Sequence, residues 1–544
     1  MRKSMLWLTM WPVWASCGEE TPRLSPTQHI DLVDTASTGR PLRPDSPNSD
    51  EIWTYGSDDD VTSHVSPAGD FRVHYATAGD HAVSTLDVDG SGVPDFVEEV
   101  AAAYDDVLAT YLSLGFDAPL RDAFVAGDNG GDDLYDVYLL ALPPSFTGRF
   151  RQEGCDASGA CTGYIAQDND FIGFGFPNTT YAIRLLAAHE FFHFVQAGYS
   201  GEQNSVYGEG SAVWASEAFD GDMQDLELFS PGFLSETQQA LNVPFTGPVN
   251  PYSYGAAIFF RFLEEYTGDI GTVVDLVKET RPGSHGVAVP DWFDDALPYV
   301  LEQRGTDFAT AFRDFAVWNL YTGPRADPSV SYANGAAYAS VAFEDADLPF
   351  VDDSVRMFYA SSRYYWSVPD GRSAITAALV RVNESSPEID ALRVFVATIQ
   401  AGDVSSILAL DPNEEPTTID ASGADAVVVV LVNTAAGGES PRPALCIGDA
   451  EEVASCRDEL LGAPVLDGGE QPLDGGSDAG TGDDHIDGGT DDEPDVDDAA
   501  GCACRAQGPD VTMSVLFVLL LSRPARRRPR TLSVDAPDRE SEDV

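Results

Sequence analysis

One apolar segment constrains this chain more than any other feature. It runs from Leu185 to Gln196 and has the sequence LLAAHEFFHFVQ. The apolar residues recur at helical spacing and predict a helix that is buried on most of its faces. Four-residue spacing places His189 and His193 on one face, one turn apart, where both imidazoles can reach the same metal ion. The alternative is a pair of core histidines held by hydrogen bonds.

The residues after this segment bear on the rest of a metal site. Glu190 projects beside the histidines, positioned to take a proton from water at the metal. A catalytic zinc site needs a third protein ligand and an open position. The extended three-histidine motif is excluded, since Gln196 and Tyr199 stand where it requires a glycine and a histidine. A second helix could lay Glu209 against the imidazoles, and Glu217, two turns further on, could replace it or support a histidine from behind.

An HExxH segment followed by Glu-Gly-x-Ala resembles the gluzincins, zinc peptidases with a downstream glutamate ligand. The chain is most similar to a group of secreted metallopeptidases of myxobacteria and their relatives, over about 71–433. The resemblance implies that Glu190 is the general base and later the proton donor. It also implies three zinc ligands, namely His189, His193 and Glu209.

A tyrosine further along the chain fits the same resemblance. In aminopeptidase-type gluzincins, a tyrosine three residues before a glycine stabilises the oxyanion of the tetrahedral intermediate. Tyr252 has that spacing from Gly255, and a phenol donor aimed at developing charge suits such chemistry. Tyr254 is the rival for this role, and ordinary core packing is the alternative for both.

The implied activity is hydrolysis of protein or peptide substrates. Two other functions remain open: a calcium-stabilised surface binding protein that keeps a peptidase-like fold without turnover, and a hydrolase of non-peptide substrates. Glu190 favours an enzyme, because a binding protein needs no base at that position.

A twelve-residue acidic loop predicts a calcium site. The segment Asp87–Glu98 fits the EF-hand loop at every ligand position, and Gly92 permits the turn. Pro94 and the lack of a preceding helix favour a structural ion over a calcium sensor, while an acidic turn without metal is the alternative. The predicted calcium ligands are Asp87, Asp89, Ser91, Val93, Asp95 and Glu98.

The charge balance excludes one class of partner. There are 30 basic and 90 acidic side chains, and the formal net charge is −60. A surface this acidic repels phosphate backbones, so nucleic acid is not an expected partner. The same carboxylates increase solubility and offer oxygen ligands for calcium.

Cysteines indicate the compartment. Cys155 and Cys161 flank a short polar loop, and Cys446 and Cys456 form a second close pair. Such pairs without neighbouring metal-binding residues predict local disulfides and an oxidising environment. Free thiols are the alternative.

Both termini are typical of targeting signals. Residues 1–17 have a basic tip and a short apolar run typical of a secretory signal peptide; Cys17 fits either a lipidation site or cleavage without lipid. Residues 461–500 form an acidic Gly/Asp-rich linker that cannot bury a core. Residues 501–530 resemble the C-terminal sorting signal of myxobacterial surface proteins, and residues 531–544 form a tail. This resemblance implies sorting machinery and anchoring to the outer membrane or cell surface, with a single-pass anchor as the alternative.

Between the termini the pattern predicts an α+β protein of two domains. Residues 18–70 are a linker or pro-segment, 71–350 a zincin-like metallopeptidase domain with the calcium loop, and 351–460 an antiparallel β-sandwich. Helical periodicity predicts the helices Phe96–Leu114, Tyr181–Gln196, Gly208–Phe219, Tyr254–Tyr266 and Asp307–Tyr321.

Overall fold

The computed structural model describes residues 43–46, 53–124, 129–143, 146–201, 203–245, 251–380, 391–410, 416–438 and 440–462. The predictions for the signal peptide, the sorting signal and the tail lie outside these ranges, as does nearly all of the acidic linker. The described part of the chain mixes helices with several sheets, and no sheet closes into a barrel. The predicted α+β class is therefore confirmed at this level.

The first sheet has five strands in the order β1-β2-β3-β5-β4. Strands β2, β3 and β5 run parallel, while β1 and β4 pair antiparallel at the two edges. β3 and β5 are buried along their whole length, as expected for parallel strands covered on both faces. β1 lies in the segment predicted to be a linker or pro-segment, so the sheet begins before residue 71. The bounds are β1 (Val61–Val65), β2 (Phe71–Ala76), β3 (Tyr135–Leu140), β4 (Gly148–Cys155) and β5 (Cys161–Asp168).

Helices α1 and α2 pack against each other and on this sheet. Aromatic rings fill the space between them, with Phe191 of α2 in contact with Phe71, Tyr104 and Tyr135. The remaining helices extend the same core. The bounds are α1 (Asp95–Leu114), α2 (Thr179–Tyr199), α3 (Ser205–Phe219), α4 (Asp225–Leu234), α5 (Pro251–Gly255), α6 (Ala257–Thr267), α7 (Gly271–Glu279), α8 (Leu297–Gln303), α9 (Phe308–Trp318) and α10 (Ala450–Gly462).

Two further sheets lie in the C-terminal region. One has the order β11-β10-β13-β8-β6 and the other β12-β9-β14-β7, and all pairs are antiparallel except β6 with β8. The bounds are β6 (Glu344–Asp345), β7 (Phe350–Asp352), β8 (Ser361–Ser367), β9 (Ala374–Val380), β10 (Leu392–Gln400), β11 (Asp403–Leu410), β12 (Thr417–Asp420), β13 (Ala426–Asn433) and β14 (Ala444–Gly448).

Strand β13 is buried on both faces and connects two cores. Val427, Val429 and Leu431 face a core shared with the four-stranded sheet. Val428 and Val430 point the other way and join the core of the helical region. The helical region and the five-stranded sheet that contains β13 therefore share one continuous apolar core.

Both predicted disulfides are confirmed. Cys155 is bonded to Cys161 at the hairpin between β4 and β5, and Cys446 is bonded to Cys456 between β14 and α10. Among the described helices, none combines the length and apolar character needed to span a bilayer.

Candidate metal and catalytic site

Two capped helices bring the site together. Asn178 accepts a hydrogen bond from the Tyr181 amide at the start of α2, and Asn204 caps α3 through the Val206 and Tyr207 amides. Asparagine satisfies free amides at a helix N-terminus, so these residues fix where each helix begins. α3 packs directly against α2, and Glu209 thereby faces the histidines.

Three side chains converge on one point. The Nε2 atom of His189 lies 3.1 Å from Oε2 of Glu209, and the Nε2 atom of His193 lies 3.6 Å from the same oxygen. His189 and Glu209 are buried, and His193 is partly exposed. These three residues form one of two groups in the described part of the chain that could hold a metal ion.

The geometry of the three atoms fits zinc. Zinc bonds of about 2.0–2.1 Å in a tetrahedron place ligand atoms about 3.3 Å apart, close to the two distances from Glu209. A carboxylate and two imidazoles are also ligand types that zinc prefers. Two ring nitrogens and a carboxylate oxygen aimed at one point need positive charge between them, supplied either by protons or by a metal ion.

Gln196 fixes the orientation of His193. Its Oε1 lies 2.8 Å from Nδ1 of His193, and its Nε2 donates to the Gly208 carbonyl and to Ser211 Oγ. The Gly208 carbonyl only accepts, so the amide orientation is determined, and Nδ1 of His193 must be the donor to Oε1. A neutral His193 then presents the lone pair of Nε2 toward Glu209, as a metal ligand requires.

Burial and charge act in opposite directions on the ionisable groups here. Burial lowers the pKa of His193, but the charge of Glu209 outweighs this effect and raises the pKa to about 9. Burial opposes ionisation of Glu209, yet the two imidazoles hold its pKa well below the usual range. The group is therefore electrostatically coupled.

Glu190 lies beside this group and is held by the neighbouring strand. Its Oε2 accepts a hydrogen bond of 2.8 Å from the Phe150 amide of β4. Burial raises the pKa of the carboxyl group, and the charges of His189 and His193 act against the rise. One carboxylate oxygen is thus fixed by the backbone.

The two candidate tyrosines occupy different environments. The hydroxyl of Tyr252 donates to the Ala240 carbonyl at 3.1 Å, and its buried ring packs on Phe233 and Phe245. Tyr254 is partly exposed, and its ring stacks on His189 with centroids 5.8 Å apart. The structure thus brings the rival tyrosine, not Tyr252, to the histidines.

The alternative third ligand lies elsewhere. Glu217 accepts a hydrogen bond of 2.8 Å from Arg261 and another of 3.1 Å from the Leu226 amide. Burial raises the pKa of Glu217 to about 7, while the Arg261 charge lowers it. Of the two glutamates on α3, Glu209 is the one that joins the histidines.

Asp225 is a residue near the site that sequence reasoning missed. It opens α4 and is 7% exposed, and its carboxylate has no hydrogen bond or ion pair with any other residue in the described ranges. Burial raises its pKa to about 6, against the influence of His189 and with a further rise from Glu227. No periodic pattern in the sequence marks this position.

The predicted calcium loop places part of its ligand set together. Carboxylate oxygens of Asp87, Asp89 and Asp95 lie within 4.8 Å of one another, whereas Glu98 does not join this group. Gly92 has φ +88°, the left-handed conformation expected at the turn. The hydroxyl of Ser91 donates to the Val93 carbonyl at 3.2 Å, so these two predicted oxygen ligands contact each other.

No known protein family matches this chain, and no curated protein is significantly similar to it.

Proposed function

We propose that this chain is a zinc-dependent metallopeptidase that hydrolyses peptide bonds. The observation that carries the proposal is the convergence of His189 Nε2, His193 Nε2 and Glu209 Oε2 at distances suited to one tetrahedral ion. These three residues would hold the metal. When bound, zinc supplies Lewis-acid chemistry, which polarises a carbonyl group and makes water more acidic.

The chain itself supplies the acid–base chemistry. Glu190 keeps one oxygen on the Phe150 amide, which leaves the other oxygen to accept a proton from the attacking water. The same carboxyl group then donates that proton to the departing amine. Burial raises the pKa of the carboxyl group and so makes the carboxylate a stronger base than a solvated glutamate, which favours the first of these transfers.

Tyr254 takes the role first predicted for Tyr252. Its ring stacks on both His189 and Phe229, and the centroid of the Phe229 ring lies 4.7 Å from that of Tyr254. Burial, and then the charge of Glu209, raises the pKa of Tyr254 well above its usual value. A phenol that keeps its proton is a good hydrogen-bond donor to the oxyanion of the tetrahedral intermediate.

We further propose a zincin-like arrangement for the first region and a β-sandwich for the second. The first proposal is supported by strand β4, an antiparallel edge that lies against α2 and contacts Glu190. The second is supported by the core that the two C-terminal sheets share.

The proposed location is outside the cytoplasm, with anchoring to the outer membrane or cell surface. Two disulfides support an oxidising compartment. The partners in this proposal are protein or peptide substrates and, for export, sorting machinery. A structural calcium ion at Asp87, Asp89 and Asp95 completes the proposed cofactors.

Metal analysis combined with casein hydrolysis tests the activity. We expect the full chain to hold about one zinc ion and to lose hydrolysis with a chelator, with recovery when zinc is added back. Glu190→Gln should keep the zinc and lower kcat at least about 1000-fold, because the base is lost. Glu209→Gln should lose zinc.

Glu217→Gln is the matched control. It changes the other glutamate of α3, which binds Arg261 rather than the histidines, and we expect zinc content to stay at the wild-type value. Full activity of Glu190→Gln would refute the role of that residue. A chain that binds no zinc would refute the peptidase proposal.

A further inference from the structure

A buried carboxylate borders the proposed catalytic centre without a partner. Asp225 is more than nine-tenths buried, and its carboxylate makes no hydrogen bond or ion pair with any other residue that the structure describes. Burying an unpaired carboxylate is costly, so such groups are paired with a cation or hydrogen-bonded in most proteins. An unsatisfied one beside a reaction centre indicates a partner that arrives from outside.

Two contacts place the start of α4 beside the metal-site residues. The Tyr254 ring stacks on His189 with centroids 5.8 Å apart, and the amide of Gln224, the residue before Asp225, donates a hydrogen bond of 3.1 Å to the Tyr181 hydroxyl of α2. Phe229, one turn further along α4, stacks on Tyr254. The first turn of α4 therefore faces the side of the site on which Tyr254 stacks against His189.

The charges around Asp225 do not neutralise it. Its nearest charged neighbour on α4 is Glu227, which has the same sign and whose Oε2 atom is buried without a hydrogen-bond partner in the described chain. The arginines of the adjacent helices are engaged elsewhere: Arg184 pairs with two aspartates, and Arg261 with two glutamates. The surroundings of Asp225 are therefore negative, within a chain whose net charge of −60 attracts cations.

We propose that Asp225 is a specificity-determining residue that binds a cationic group of the substrate, an ammonium or a guanidinium. This inference rests on the proposed peptidase function and adds the class of substrate. The cation is either a lysine or arginine side chain next to the cleaved bond or the free amino terminus of the peptide. Both offer the charged hydrogen bonds that the carboxylate lacks.

A pair of matched peptides tests the proposal on the full chain. The two internally quenched peptides of a pair differ at one position, where one has lysine and the other norleucine, and a separate pair is made for each position. Every peptide is made in two forms, with a free and with an acetylated amino terminus. For the wild type we expect kcat/KM to favour the cationic peptide at least about tenfold, since a buried polar group rejects a substrate that leaves it unpaired.

Asp225→Asn keeps the shape of the side chain and removes the charge. We expect its preference for the cationic peptide to fall below about twofold, mainly through KM, while the zinc content stays unchanged. Asp222→Asn is the control, because Asp222 is exposed in the loop just before α4, and it should keep the wild-type preference. If the preference depends on lysine, the cation that binds Asp225 is a side chain of the substrate. If acetylation abolishes the preference, the cation is the amino terminus of the peptide.

Three results would overturn the proposal: no preference for a cation in the wild type, a preference that survives in Asp225→Asn, or loss of zinc in that variant, which would make Asp225 a support for His189. Absence of hydrolysis by the wild type would refute the peptidase function instead. In that case, binding of labelled lysine and norleucine peptides, measured by fluorescence anisotropy with wild type and Asp225→Asn, decides whether the carboxylate binds cations. Equal binding of both peptides by the wild type contradicts the inference.

Discussion

At the scale of single residues, two tyrosines of one short helix test which side chain serves the reaction. Tyr254→Phe should lower kcat about 10- to 100-fold with zinc content unchanged, because the oxyanion loses a donor. Tyr252→Phe should leave kcat near the wild-type value and lower the free energy of unfolding by about 1 kcal/mol, because the hydrogen bond to the Ala240 carbonyl is lost. Steady-state kinetics and denaturant titration of both variants check this prediction.

The reverse pattern would return the role to Tyr252. If Tyr252→Phe loses kcat while Tyr254→Phe does not, the hydroxyl of Tyr252 must reach the substrate in the working enzyme. Unfolding midpoints of the two variants separate such a result from simple loss of structure.

Sequence reasoning grouped the two histidines, as the structure does, but could not tell which tyrosine stacks on His189, for a physical reason. His189 and His193 lie within one long helix, so their shared face follows from spacing alone. Tyr252 and Tyr254 lie two positions apart in α5, and two positions turn a helix by about 200°. Which of them faces the site depends on how α5 packs on α4, and spacing from a glycine does not contain that information.

At the scale of elements, the crossing of α4 and α5 positions Tyr254. A side chain at Gly255 would place Cβ 2.5 Å from the Phe229 carbonyl oxygen and 2.7 Å from the Phe233 amide nitrogen. Gly255→Ala should therefore push the helices apart, lower the free energy of unfolding by about 1–3 kcal/mol, and reduce kcat as Tyr254 shifts. Denaturant titration and kinetics measure both effects.

Gly221→Ala offers a comparison without a clash. Nothing lies within 4 Å of the Cβ that this change would add, so we expect stability and kcat close to the wild type. Wild-type kcat in Gly255→Ala would contradict the positioning role of the crossing.

The calcium loop should stabilise the start of α1. With zinc held at saturation, adding calcium to EGTA-treated protein should raise the melting midpoint by a few degrees, since a ligand that binds only the folded state stabilises it. Asp89→Asn should abolish the rise, because it removes one of the three grouped carboxylates. Differential scanning calorimetry measures the midpoints.

Asp80→Asn serves as the control for this experiment. Asp80 is exposed on the segment before the loop and lies outside the grouped carboxylates. A calcium response that persists in Asp89→Asn would show that the ion binds elsewhere.

The body of each long helix was predictable, and the ends were less so. The predicted Tyr181–Gln196 and Gly208–Phe219 became Thr179–Tyr199 and Ser205–Phe219. Apolar periodicity sets the buried turns, whereas the start is set by capping side chains, Asn178 and Asn204, that periodicity does not register. Helix α4 escaped prediction altogether, since it is short and carries Pro231.

At the scale of the whole molecule, Arg43 ties the early segment to the first sheet. It is fully buried and pairs with Asp122, Asp136 and Glu153, with the Glu153 contact at 2.6 Å. Arg43→Met should lower the free energy of unfolding at pH 7 by about 3–5 kcal/mol, because the three carboxylates lose their cation. Denaturant titration at pH 7 and pH 5 measures the loss.

The loss should be smaller at pH 5. Burial raises the pKa of Asp122 to about 6 from 3.8, against the effect of Arg43. Between these values the folded state holds more protons than the unfolded state, so the contribution of Asp122 to stability falls as pH rises. Without Arg43 the pKa of Asp122 rises further, and the loss of stability between pH 5 and pH 7 becomes larger.

Arg72→Met is the control and breaks a more exposed pair with Asp132. It should lower the free energy of unfolding by under about 1 kcal/mol at both pH values. Equal losses for Arg43→Met at the two pH values would contradict this account.

The two-sided burial of β13 has a practical corollary for anyone who shortens this chain. A version cut near residue 350 would uncover the apolar surface that Val428, Val430 and Val432 now cover. Such a fragment would tend to aggregate, because a newly exposed apolar surface associates with other apolar surfaces. Because the helical region and the β-rich region share this core, we expect them to unfold together, in a single calorimetric peak rather than two.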